Sequence, residues 1–279
     1  MRALFGTLVL VALALAPLSA ASVDGLKLHS ASAGKGNAAL IFVHGWTCDS
    51  SSWTAQVPEF AKKYRVLTLD LPGHGQSAVP AQDKFSIGLF ARAVEAVRAE
   101  AGVDRVVLIG HSMGAPVIRE YARLFPQHVA GLVAVDGPLD LRGFGEAREG
   151  RGAFTPPPMT GSEGLKAREG MIKGMFTPQT PKPLQDQIMK MMISAPEATA
   201  TGAMAAMFDP TISRTSVINA PALAIYAGTN TIPDLATVRQ VVPKFEATQV
   251  AGTGHFVMME KPAEFNALLD GFLKKINFQ

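Results

Sequence analysis

The sequence has one cysteine in 279 residues, Cys48, which excludes an intramolecular disulfide and a multi-cysteine zinc site. It has little charge, 18% Asp, Glu, Lys and Arg, and the net +3 comes from scattered residues rather than a basic block. Nucleic-acid binding therefore has no support, and no such partner is expected. Aromatic residues are sparse at 7%, yet 48% of the chain is hydrophobic, enough to bury a core and exclude wholesale disorder. Long apolar runs are missing after the first twenty residues. At the start, Arg2 precedes an apolar stretch at residues 8–15, Pro17 breaks it, and Ser19, Ala20 and Ala21 offer small residues for cleavage. That stretch is short for a hydrocarbon layer of roughly 30 Å. Residues 1–21 thus read as a cleaved export signal, giving a periplasmic or extracellular chain with no stable membrane span.

After the leader, short apolar runs alternate with segments of helical period. Residues 39–43, 65–69, 106–109, 132–135 and 222–226 are near-continuously apolar, as strands covered on both faces are. Residues 86–101 set Ile87, Phe90, Ala91, Val94 and Val97 on one stripe, with Ser86 placed as N-cap and Gly102 as stop. A second helix is expected over 112–125, ended by Pro126. Strand–helix alternation implies right-handed crossovers and an α/β fold with a mostly parallel sheet flanked by helices. Residues 139–217 break the rhythm with a Gly-rich stretch, prolines at 156–158, and helix-like segments near 163–176, 183–194 and 196–208. Eight of the twelve methionines fall there. Residues 22–138 and 218–279 are therefore expected to form the core, and 139–217 a helical lid over the ligand-binding end of the sheet. Lys166, Arg168, Lys173 and Lys190 look like solvated helix faces, and residues 143–158 are the expected mobile segment.

Three short motifs carry chemistry. Gly110-His111-Ser112-Met113-Gly114 is a G-x-S-x-G match directly after an apolar strand and before a helix. Such a turn lifts the Ser112 hydroxyl above the sheet edge as a nucleophile, beside a helix N-terminus that favours negative charge. His44-Gly45-Trp46 follows the 39–43 strand, and the backbone N–H groups of Trp46 and Met113 are the natural donors to an oxyanion. His44, His74 and His111 read as bracing or packing residues, and nothing recommends His29 or His128. Far along the chain, His255 lies between Gly254 and Phe256 on a loop before an amphipathic helix, where it is placed to serve Ser112 as general base.

With HGW, the DLPGHGQS turn, GHSMG and the terminal GTGHFVMMEKPAEF in place, the chain resembles the α/β-hydrolase superfamily from about residue 26 to 273. The resemblance implies an eight-stranded, mostly parallel sheet with a helical cap, a triad in the order Ser, acid, His, and acyl-enzyme chemistry on a small-molecule substrate. No cofactor or metal is implied. One departure matters. Many members place the acid in the loop after the strand corresponding to 222–226, where this chain has Thr231, with Asp234 three positions late. Others place it at the end of the preceding strand, where Asp136 stands. Asp136 is the expected acid, Asp234 the alternative, since it could equally cap a helix over 235–241. Ester-like, fairly apolar substrates are expected. Lactone or carbon–carbon bond hydrolysis, perhydrolysis, or a binding role with little turnover are the alternatives.

Overall fold

A computed structural model describes residues 16–18, 21–144, 156–157 and 159–278. Most of the segment expected to be mobile, and most of the expected export signal, lie outside them. The chain runs through β1 (Ala16–Pro17), β2 (Ser22–Val23), β3 (Leu26–Lys27), β4 (Ser30–Ala33), β5 (Ala38–Val43), α1 (Val57–Phe60) and β6 (Arg65–Leu69). Then follow α2 (Ile87–Glu100), β7 (Arg105–His111), α3 (Gly114–Leu124) and β8 (Val129–Val135). Three helices intervene, α4 (Gly161–Lys173), α5 (Lys182–Ile193) and α6 (Glu197–Met207), before β9 (Ala222–Ala227). The chain closes with α7 (Leu235–Val238), β10 (Phe245–Val250), α8 (Val257–Glu260) and α9 (Pro262–Lys275).

Eight strands form one sheet in the order β1-β4-β6-β5-β7-β8-β9-β10. The six from β6 to β10 along this order are parallel, while β4 and β1 join antiparallel at one edge. Helices cover both faces, so β5, β7 and β8 are apolar at consecutive positions rather than at alternate ones: Leu40, Ile41, Phe42 and Val43 are all buried, as are Val106 to Ile109 and Leu132 to Val135. The Ser86 hydroxyl accepts from Leu89 N at 3.0 Å and starts α2, and Gly102 at φ +62° ends it. The edge strand β1 comes from the expected leader and pairs Ala16 with Ser32 and Pro17 with Ala31. A cut after Ala21 would remove that strand and leave seven.

Helices α4 to α6 are seated on the loops at the carboxyl edge of the sheet. Trp46 Nε1 donates to Ala200 O at 2.9 Å, and Thr199 Oγ1 to Gly73 O at 2.6 Å. A Cβ at Gly202 would stand 2.3 Å from the Phe85 ring, so α6 lies against that ring with no room for a side chain. Met159, Met191, Met192 and Met204 are buried, and the flexible thioether suits an irregular contact between layers. Arg168 corrects the expectation of a solvated face. It is 3% exposed, and its guanidinium donates to Met192 O, Ile193 O and Ala195 O at 2.9–3.2 Å, tying α4 to the end of α5. Two carbonyls in the last turn of α5 and that of Ala195 just beyond it supply the acceptors, which is why a buried cation is tolerated there.

Candidate active site

Parallel strands deliver all the candidate groups to one edge. Ser112 follows β7, Asp136 follows β8, His255 lies in the loop after β10, and Trp46 follows β5. The turn at Ser112 is strained: its φ is +53°, a left-handed conformation that a residue with a Cβ adopts at a cost. Ser112 N donates to Val135 O at 2.9 Å, and Ala115 N to Ser112 O at 2.9 Å, so hydrogen bonds from both sides hold it. Glycines make the turn possible. A Cβ at Gly114 would stand 2.5 Å from Val43 O, one at Gly110 2.3 Å from Gly114 O, and one at Gly137 2.5 Å from Ser112 O.

Asp136 is also left-handed, at φ +46°, and is 6% exposed. Its Oδ2 lies 2.6 Å from His255 Nδ1. Its Oδ1 accepts from Ala227 N at 2.8 Å and from Asn230 Nδ2 at 2.7 Å. Burial alone would raise this carboxyl, but the His255 hydrogen bond and charge, with the Ala227 and Asn230 donors, hold it below the usual carboxylate range. With Oδ2 as an ionised acceptor, His255 must carry its proton on Nδ1. That leaves Nε2 as a base. Ser112 and His255 remain partly exposed while Asp136 is buried. Asp234 is elsewhere: it caps α7, accepting from Thr237 N at 2.8 Å and Thr237 Oγ1 at 2.6 Å.

Among the described residues no acceptor takes the backbone N–H of Trp46 or of Met113. Met113 is the N-cap of α3, so its N–H and the helix dipole both favour negative charge beside Ser112. The remaining histidines brace. His44 contacts Gly45 O through Nδ1 and accepts from Leu71 N through Nε2 at 3.0 Å, and burial lowers its pKa. His111 Nε2 donates to His255 O at 3.0 Å, with the two rings 4.7 Å apart. Burial first, then the charge of His255, draws its pKa down to about 3, so it packs against the candidate base as a neutral ring. Burial pushes the Cys48 thiol up, and it stays protonated. Among the described residues no cluster of His, Cys, Asp or Glu could hold a metal ion.

Two features escaped the sequence. His29 Nδ1 lies 3.0 Å from Asp70 Oδ2, and Asp70 also accepts from Ser50 N and Gln76 N, so this carboxylate ties the HGW loop to the LPGHG turn. The other is Glu260, inside the terminal motif, whose carboxylate touches both neighbours of His255.

The family model described as alpha/beta hydrolase fold matches residues 38–161. A dihydrolipoyllysine-residue acetyltransferase component of an acetoin cleaving system from Cupriavidus necator is 27% identical over 89% of this chain and 67% of its own length. The Pseudomonas putida protein of the same description is 29% identical over 87% and 65%, so the chain spans about two thirds of these curated relatives. Among solved structures, Est816, described as an N-acyl homoserine lactone degrading enzyme, superposes with a TM-score of 0.75 at 27% identity, covering 90% of this chain and 99% of that one. A thermophilic esterase from Thermogutta terrifontis gives 0.75 at 23% identity over 94% and 99%, a likeness of fold.

Proposed function

Because the chain belongs to the α/β-hydrolase superfamily, we propose that it is an exported serine hydrolase of small, fairly apolar ester-like substrates, with residues 139–217 as its cap. The observation that carries this reading is the 2.6 Å contact between His255 Nδ1 and Asp136 Oδ2 at the strand edge that also bears Ser112. The contact fixes the tautomer in which Nε2 can take the hydroxyl proton as Ser112 Oγ attacks the carbonyl carbon. The carbonyl oxygen becomes an oxyanion, for which the Trp46 and Met113 N–H groups are the donors. The imidazolium then gives its proton to the leaving alkoxide, and an acyl-Ser112 ester remains. Water, deprotonated by His255, attacks this ester and releases the acid.

The test is Ser112→Ala. It should abolish turnover of p-nitrophenyl esters and labelling by a fluorophosphonate, with the melting temperature within a few degrees of the parent. Labelling that persists in Ser112→Ala would refute the assignment, and a parent protein that never labels would favour a binding role. The 27% identity to Est816 supports a second reading, hydrolysis of a lactone by the same steps. An ester and lactone panel graded by chain length separates the two.

A further inference from the structure

The loop that carries His255 is held from below by one carboxylate. Glu260, the last residue of α8, accepts from Gly254 N at 3.0 Å through Oε2 and from Phe256 N at 3.3 Å through Oε1. These are the backbone N–H groups on either side of His255. The same Oε2 accepts from Thr180 Oγ1 at 2.8 Å, and Thr180 lies in the turn between α4 and α5. That turn reaches the base a second time, because His255 N donates to Met175 O at 2.9 Å. The fit is close: a Cβ at Gly254 would stand 2.5 Å from Met175 O and 3.2 Å from Glu260 Oε1. Thr180 is buried, and its hydroxyl accepts from Thr177 N at 2.9 Å while donating to Glu260, so its geometry is fixed from both ends.

We propose that Glu260 is a positioning residue for His255, and that its bond to Thr180 makes the position of the base depend on the seating of the cap. The proposal rests on His255 acting as general base. It has a mechanical consequence. The α4–α5 turn cannot lift from the core without removing the Met175 acceptor from His255 N and the Thr180 donor from Glu260. An open cap therefore leaves the base loosely held, and a seated cap completes it. Turnover is coupled to cap closure, which disfavours reaction of Ser112 while the site stands open to water. Glu260 needs no contact with substrate to do this.

Thr180→Val tests the coupling while leaving Ser112, His255, Asp136 and Glu260 in place, and Thr180→Ser is its control, since a serine hydroxyl can make the same two bonds. Loss of one hydrogen bond to a charged group should lower fluorophosphonate labelling and kcat on the order of tenfold in Thr180→Val, with KM little changed. The Gly254 and Phe256 amides should exchange hydrogen faster in Thr180→Val, and Thr180→Ser should restore both readouts. Glu260→Leu, which orphans both N–H groups, should be slower still, on the order of a hundredfold. Parent-like labelling and amide protection in Thr180→Val would overturn the coupling. If the parent itself never labels, the base reading fails, and the exchange measurement still decides whether the cap holds the loop.

Discussion

Asp136→Asn separates the geometry from the charge of the candidate acid. The two carboxylate oxygens of Asp136 are not equivalent: Oδ1 faces two donors, Ala227 N–H at 2.8 Å and Asn230 Nδ2 at 2.7 Å, and Oδ2 faces His255 Nδ1 at 2.6 Å. An amide has one acceptor and one donor end, so the introduced side chain must turn its oxygen either to the two donors or to His255. Facing His255, it would set NH2 against Ala227 N–H and Asn230 NH2. A buried group left unpaired costs about 1–3 kcal/mol, and Asn230, being exposed, can partly recover through water, so this orientation is disfavoured by about 2–4 kcal/mol. The favoured orientation points NH2 at His255 Nδ1 and forces the proton onto Nε2, which on the proposed mechanism blocks the base. At about 1.4 kcal/mol per tenfold the tautomer alone should cost about 30- to 700-fold, and loss of the charge beside the imidazolium adds to it. We expect kcat on a p-nitrophenyl ester, normalised by active-site titration, to fall by about 10³- to 10⁴-fold. Removing one of the two donors should help: Asn230→Ala in the Asp136→Asn background should recover activity severalfold. A kcat for Asp136→Asn within tenfold of the parent would refute the reasoning, and no recovery in the double variant would refute the orientation argument.

Asp234→Asn should leave kcat within about twofold on the same assay, because Asn also caps a helix and Asp234 serves only α7; a large loss would reopen the acid assignment. Burial draws the pKa of both His74 and His111 down to about 3, so from about pH 6.5 downward the unfolded chain binds protons that the folded one refuses. Stability should therefore fall as pH drops through that window, by up to about 1.4 kcal/mol per pH unit for each ring, and urea melts with no slope between pH 7 and 4 would contradict this. Asp70 and Asp136 are buried, yet His44 and His255 and their backbone donors depress them, so their stabilisation is present above the ordinary carboxylate range and should disappear as pH falls below about 4. Gly114→Ala should lower stability by about 1–3 kcal/mol, since its Cβ would meet Val43 O at 2.5 Å; thermal melting checks this, and an unchanged melting temperature would mean that α3 shifts freely.

The features legible in the sequence were those that a few neighbouring residues decide. Central strands buried on both faces have to be apolar at successive positions, so β5, β6, β7, β8 and β9 stood out as runs of Val, Leu, Ile and Ala. The turn at Ser112 was legible because its glycines bracket one tight turn, where a Cβ at Gly110 would meet Gly114 O only four residues on. Ser86 and Gly102 marked α2 because caps act within one helical turn. The four N-terminal strands were not legible. They are two to four residues long, and Ser30–Ala33 holds only Ser and Ala, so pairing rather than composition makes it a strand.

The sequence by itself therefore determined the α/β class, the strained turn at Ser112 and the loop that presents His255, because backbone sterics and side-chain period act locally. Only the tertiary structure decided which carboxylate meets that histidine. Asp136 and Asp234 both lie in plausible loops, but Asp136 directly follows β8, two strands from β10, and turns left-handed toward His255, 119 residues away in the chain. Asp234, much nearer to His255 along the chain, is spent on the amide and hydroxyl of Thr237 at its own helix end. The same holds for Arg168, whose partners are carbonyls at and just past the end of another helix, and for Glu260, which bonds a turn 80 residues earlier. A hydrogen bond is made wherever the folded backbone brings donor and acceptor within about 3 Å, and distance along the chain sets no preference for one partner over another.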